Sequence, residues 1–117
     1  MPHPIREVEV SVHTPIYEST GVQPPTSTGT TKVTAMLDTG AQMCLLGSDL
    51  LYRLGATTDQ LCPTATKLKG ANRKEINILG CIFLDIALNG NTNAHMCYVT
   101  NQIEGLSCPK LRARTSA

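Results

Sequence analysis

Asp38 stands at the end of an apolar run, in Ala35-Met36-Leu37-Asp38-Thr39-Gly40-Ala41. A carboxylate so placed is partly desolvated and hard to satisfy alone. Two such groups brought together cannot both ionise, so they share one proton. The ionised partner can take a proton from water while the protonated partner polarises a carbonyl. That is the chemistry of peptide hydrolysis without a covalent intermediate. Asp38 is therefore the candidate catalytic residue, and Gly40 permits the sharp turn that carries it. The sequence contains one D-T-G, and Asp49, Asp59 and Asp85 sit in other contexts. A dyad then needs two copies of the chain, and a twofold axis sets identical Asp38 residues face to face. A D-T-G tripeptide also fits an ordinary turn stabilised by local hydrogen bonds. The preceding strand, the apolar flanks and the small β-rich chain around it favour the chemistry.

The elements that must hold this turn are mostly strands. Val8, Val10 and Val12 alternate with polar residues, the period of a half-buried strand. Glu18 to Thr31 carries Gly21, Pro24, Pro25 and Gly29 among Ser and Thr, and reads as a loop. Lys32 to Leu37 resumes the alternation, with Val33, Ala35 and Leu37 on one face. Ser48 to Leu54 reads as a short helix, with Ser48 as N-cap, Leu50, Leu51 and Leu54 as its apolar face, and Gly55 at its stop. Thr64 to Ala71 and Glu75 to Leu88 read as two strands around a polar tip. Gly80, inside the second, marks a bulge or a close backbone approach. Asn89-Gly90 is the strongest hairpin signal, because a type I′ turn needs positive φ at both central positions. His95 to Thr100 reads as the returning strand, and Leu106 to Arg114 has no clear assignment.

The chain has 117 residues, the length of one domain. A chain of this size can bury roughly two thirds of its unfolded surface. Tyr17, Tyr52, Phe83 and Tyr98 are its aromatics, so the core must be aliphatic. Hydrophobic residues at 41% and charged residues at 16% are ordinary for a soluble globular protein. A net charge of +1 gives no bulk support for nucleic-acid binding. The basic cluster Lys110, Arg112 and Arg114 reads as a solvated tail. Cys44, Cys62, Cys81, Cys97 and Cys108 show no C-x-x-C spacing, and His3, His13 and His95 do not stand at ligand spacing from them. They read as small apolar core residues of a reducing compartment, with neither a zinc site nor a disulfide framework expected. No metal and no cofactor are expected. No apolar run approaches a membrane span, and the first residues lack a signal core. An intracellular location is expected, in the cytoplasm.

With these residues in place, the sequence resembles the retropepsins, the aspartic proteases of retroviruses and long-terminal-repeat retrotransposons, and most of all the gypsy-type members. The resemblance rests on Ala35 to Gln42, Leu45-Leu46-Gly47, Leu54-Gly55, Leu68-Lys69-Gly70-Ala71-Asn72, Ile78-Leu79-Gly80, Cys97-Tyr98-Val99 and Gly105-Leu106-Ser107. It runs from about Val33 to Leu111. It implies an all-β, mainly antiparallel fold: a retropepsin-like half-barrel with one short helix, functional as a C2 homodimer. The chain would form a single domain, with an N-terminal strand and flexible loop over 1–31, a protease core over 32–111 and a tail over 112–117. Asp38 would be catalytic, Thr39 would hydrogen-bond across the dimer, and Gly40 and Ala41 would complete the active-site turn. Gly70, Ala71, Asn72, Arg73, Lys74 and Glu75 would form a flap over a bound peptide; an exposed turn is the plainer alternative. Near the C-terminus the sequence departs from the family pattern, since Gly is missing from its usual place in Leu106-Ser107-Cys108-Pro109-Lys110. The implied function is cleavage of a retroelement polyprotein. The alternative is a catalytically silent, retroelement-derived domain that dimerises or binds peptides. A nucleic-acid-binding fragment lacks both a Cys/His knuckle and an aromatic-plus-basic surface.

Overall fold

The computed structural model describes residues 5–26, 29–37, 43–64, 67–69 and 75–109. Among these the elements run β1 (Ile5–Val12), β2 (Thr31–Leu37), β3 (Cys44–Gly47), α1 (Ser48–Arg53), β4 (Lys67–Lys69), β5 (Glu75–Asn77), β6 (Gly80–Leu88), β7 (Asn91–Thr100) and β8 (Leu106–Cys108). Six strands close a barrel in the order β1-β2-β8-β3-β7-β6, and β4 and β5 pair separately as a two-stranded sheet. Most ladders are antiparallel, while β2 with β8 and β3 with β7 are parallel. The fold is thus all-β with one short α-helix, a retropepsin-like half-barrel as the resemblance implies. No helix among the described residues is long and apolar enough to cross a membrane.

Alternation along each strand builds the core. Val8, Val10 and Val12 face inward from β1, and Val33, Ala35 and Leu37 from β2. The barrel interior is layered, as closure with tilted strands requires. One layer follows the pairings Ala35–Leu106–Leu46–Val99–Gly80, and Leu37, Cys108, Cys97 and Ile82 belong to the next. Leu50, Leu51 and Leu54 of the helical segment are buried, and Gly55 follows at φ +86, the left-handed stop expected of it. Asn89 and Gly90 both take positive φ, and the β6–β7 hairpin closes on Leu88↔Asn91.

Four readings change. Glu75 to Leu88 is two strands, not one. At Gly80 the backbone passes so close to Leu61 that an added Cβ would lie 2.6 Å from the Leu61 Cβ. The chain switches there from pairing with β4 to pairing with β7. The returning strand begins at Asn91 rather than His95, because its first four residues are exposed and carry no apolar alternation. The helix is capped by Gly47, not Ser48. Gly47 is extended and makes no side-chain cap, and Ser48 is already helical. Strands β3 and β8 had no assignment at all, being too short for a period to be read.

Tyr17 lies in a 3-10 turn over Thr14–Glu18, buried, and its hydroxyl donates to the Gln60 carbonyl at 2.8 Å. Burial, and then the nearby Cys62 and Cys81, push its phenol up to about 12. In the unfolded chain it ionises near about 10. Between these values the native state keeps a proton that the unfolded state has lost, so stability falls as pH rises through that window. Tyr17→Phe should cost about 0.5–1.5 kcal/mol at neutral pH. It should also flatten the alkaline decline. Denaturant midpoints measured at neutral and alkaline pH check both effects.

Candidate active site

Asp38 and the turn residues Thr39, Gly40 and Ala41 lie outside the described residues, as do Gly70, Ala71, Asn72, Arg73 and Lys74 of the expected flap. What is described is the frame that holds both segments. β4 and β5 pair in the register Lys67↔Asn77, Leu68↔Ile76 and Lys69↔Glu75, so residues 70–74 join two antiparallel stems. Glu75 belongs to the second stem rather than to the tip.

The frame of the Asp38 turn is tighter. The chain leaves the barrel at Leu37 and rejoins it at Cys44. Between β2 and β3 lies β8, parallel to the first and antiparallel to the second. Leu37 is paired with Cys108. The β3–β8 register, Leu45↔Ser107 and Leu46↔Leu106, continued by one residue, sets Cys44 opposite the same Cys108. Both ends of the turn are therefore held on one residue of β8. Leu37, Cys44 and Cys108 are all buried, so the floor of the turn is apolar.

A second contact fixes where β8 begins. The Gly47 N–H donates to the Gly105 carbonyl at 2.7 Å, and the Gly105 N–H donates to Asp49 Oδ1 at 3.3 Å. Gly105 takes φ +75, which lets the chain turn into β8. The other described aspartates are placed elsewhere. Asp59 lies in a 3-10 turn over Thr58–Gln60, and Asp85 sits on β6 with Oδ1 2.8 Å from His13 Nδ1. Among the described residues no group of three or more His, Cys, Asp or Glu is arranged to hold a metal ion.

The sequence reading missed the sulfur cluster under the turn. Cys44 pairs with Cys97 across β3–β7, and its Sγ lies 2.8 Å from that of Cys108. Contact with the Cys108 thiol and then the Cys97 thiol lowers the Cys44 thiol, while Cys97 and Cys108 are raised by the same contact and by burial. Sequence spacing carries no trace of this grouping, because long-range pairing of β3 with β7 and with β8 brings the three residues together.

Comparison with known proteins decides the family. The aspartyl protease family model matches residues 24–106, well over half of the chain. The chain belongs to the aspartyl protease family. The matched span of this protease runs from the loop before β2 to the first residue of β8, and so takes in the Asp38 turn, α1 and both stems of the β4–β5 hairpin. Neither the curated proteins nor the solved structures returned a match.

Gly47 tests the frame. An added Cβ would collide with Asp49 Oδ1 and would lie 2.6 Å from the Ile103 carbonyl oxygen and 3.0 Å from the Glu104 Cα. Two of these three atoms are backbone, so the collision cannot be relieved by a rotamer change. Gly47→Ala should cost about 1–3 kcal/mol, the usual toll of overpacking. Thermal unfolding reads it directly; an unchanged melting temperature would mean that the segment before β8 is not held against β3.

Proposed function

We propose that this aspartyl protease is a retropepsin-type endopeptidase. It acts as a homodimer in which Asp38 of each copy supplies one carboxylate of the dyad. The observation that carries this reading is the single D-T-G inside the matched span, set at the exit of an inward-facing barrel strand. One such barrel provides one carboxylate, and the mechanism needs two that share a proton. A C2 pair supplies the second without a new residue. The ionised Asp38 accepts a proton from water as that water attacks the scissile carbonyl. The protonated Asp38 of the other copy donates to the carbonyl oxygen. The resulting diol then collapses with proton transfer to the leaving amine. The hairpin of β4 and β5 is suited to close over the peptide, with residues 70–74 joining its stems and Glu75 in the second stem. The substrate class is a peptide, and the sequence resemblance favours a retroelement polyprotein processed inside the cell.

Asp38→Asn fills the same volume but cannot take the water's proton. Cleavage of a peptide substrate should fall to background while circular dichroism and thermal unfolding stay near wild type. Residual hydrolysis that survives in this variant and resists a pepstatin-type inhibitor would assign the activity to another residue.

Thr39 tests the dimer. Its hydroxyl can donate one hydrogen bond and accept another, and in the paired arrangement it bonds across the axis beneath the carboxylates. A buried hydrogen bond is worth roughly 0.5–1.5 kcal/mol net, and an orphaned partner costs about 1–3 kcal/mol; symmetry counts the loss twice. Thr39→Ala should weaken dimerisation and lower activity, and Thr39→Ser should be far milder. Sedimentation of both variants measures the difference. Equal dimer affinity for Ala and Ser would leave Thr39 as a turn residue only.

A further inference from the structure

All five cysteines of this chain are buried thiols, and they fall into two groups. Cys62 and Cys81 face each other in an isolated bridge, each N–H donating to the other's carbonyl, at 2.8 and 2.9 Å. Cys44, Cys97 and Cys108 lie side by side on three neighbouring strands. Directly opposed residues of an antiparallel pair have Cα atoms roughly 4.5–5.5 Å apart. A disulfide spans roughly 4.4–6.8 Å. The β3–β8 register continued by one residue sets Cys44 opposite Cys108, and their sulfurs already lie 2.8 Å apart. Cys97 is the third member, but its thiol also reaches the His95 carbonyl of its own strand, at 3.7 Å.

We propose that Cys44 and Cys108 are a peroxide-oxidisable thiol pair whose reversible disulfide fastens the Cys44 end of the Asp38 turn to the β8 residue that already pairs with Leu37 at the other end. Cys44 is the attacking sulfur, because it keeps slight exposure while Cys108 has none, and contact with the neighbouring thiols lowers its own. Cys62 and Cys81 are pushed the other way by burial and stay as thiols. In the first step the Cys44 thiolate attacks one oxygen of hydrogen peroxide. The O–O bond breaks, the departing hydroxide takes a proton and leaves as water, and Cys44 becomes a sulfenic acid. In the second, the Cys108 sulfur attacks the Cys44 sulfur. The S–O bond breaks, and the hydroxide leaves as water with the Cys108 proton. Two thiols are oxidised by two electrons, one peroxide is reduced to two waters, and a dithiol reductant restores the starting state. In a reducing compartment the pair remains open until an oxidant arrives. Since Leu37 is paired with Cys108 and Cys44 begins β3, the bond joins the two described ends of the turn through one residue of β8.

The test uses the full chain and stoichiometric hydrogen peroxide, with free thiols then alkylated and the peptides mapped by mass spectrometry. The expected result is a loss of two hydrogens per chain, one crosslink between the Cys44 and Cys108 peptides, alkylated Cys62, Cys81 and Cys97, and full reversal by dithiothreitol. Cys108→Ser should stop the reaction at a Cys44 sulfenic acid that dimedone traps once the chain is unfolded in denaturant, and Cys97→Ser should still give the crosslink. Amide exchange over 44–46 and 106–108 should slow in the oxidised form. A Cys44–Cys97 bond, a Cys62–Cys81 bond formed first, or unmodified thiols would overturn the pair; unchanged amide exchange would overturn the fastening. None of these readings depends on peptide cleavage, so loss of the protease reading leaves the test intact.

Discussion

Strand β8 is three residues long, yet the barrel cannot close without it. It is wedged between β2 and β3, which are joined in sequence by the turn that carries Asp38 but are not paired with each other. Remove β8, and both strands present open edges with unpaired backbone donors and acceptors. The turn would then leave one edge and land on another with nothing to fix their separation. With β8 in place, Leu37 and Cys44 are held at a distance set by two ladder spacings. The width of the turn's mouth is thus a property of backbone hydrogen bonding.

That constraint explains the glycines around it. β8 must enter beside Gly47, and its approach leaves no room for a Cβ there. Gly105 supplies the left-handed step that brings the chain in. On the far side of the same inward-facing layer, Gly80 is where the chain leaves the β4–β5 hairpin and joins the barrel, and Leu61 fills the space a side chain would take. The two close approaches bracket Leu46, Val99 and Leu106, all fully or almost fully buried. A core with so few aromatics reaches native density in this way, by bringing backbone and small aliphatic side chains together rather than by inserting large rings.

What could be read from the sequence was local, and what could not was long-range. Val8, Val10 and Val12, the β2 alternation, the short helix and the Asn89-Gly90 turn each carry their signal within a few residues, and each stands in the structure. The Asp38 motif was legible for the same reason, being contiguous, although its own placement lies outside the described residues. β3 and β8 offered Cys44-Leu45-Leu46-Gly47 and Leu106-Ser107-Cys108, four residues and three, too short to separate a period of two from chance. Their parallel partners are more than fifty residues away in β7 and seventy in β2, and no local propensity encodes such a pairing. The break at Gly80 was visible only as an ambiguity. A glycine in an apolar alternation signals either a bulge or a close approach, and only the position of Leu61 decides between them.

The cysteines show how the two kinds of information meet. As isolated residues each reads as a small apolar filler, and burial bears that out for all five. Closure then stacks Leu37, Cys108, Cys44, Cys97 and Ile82 in one inward-facing row across five strands. The row takes small side chains at its centre, where β8 and β3 are short. Alanine would satisfy the volume nearly as well. Sulfur adds two things that alanine lacks: polarisable contact in a core poor in aromatics, and a proton that three neighbours can share. Burial keeps the thiols from larger reagents, while the ladder holds two of the sulfurs in register. The same hydrogen bonds that set the width of the turn therefore also set the distance between Cys44 and Cys108, so any change in one must be felt by the other.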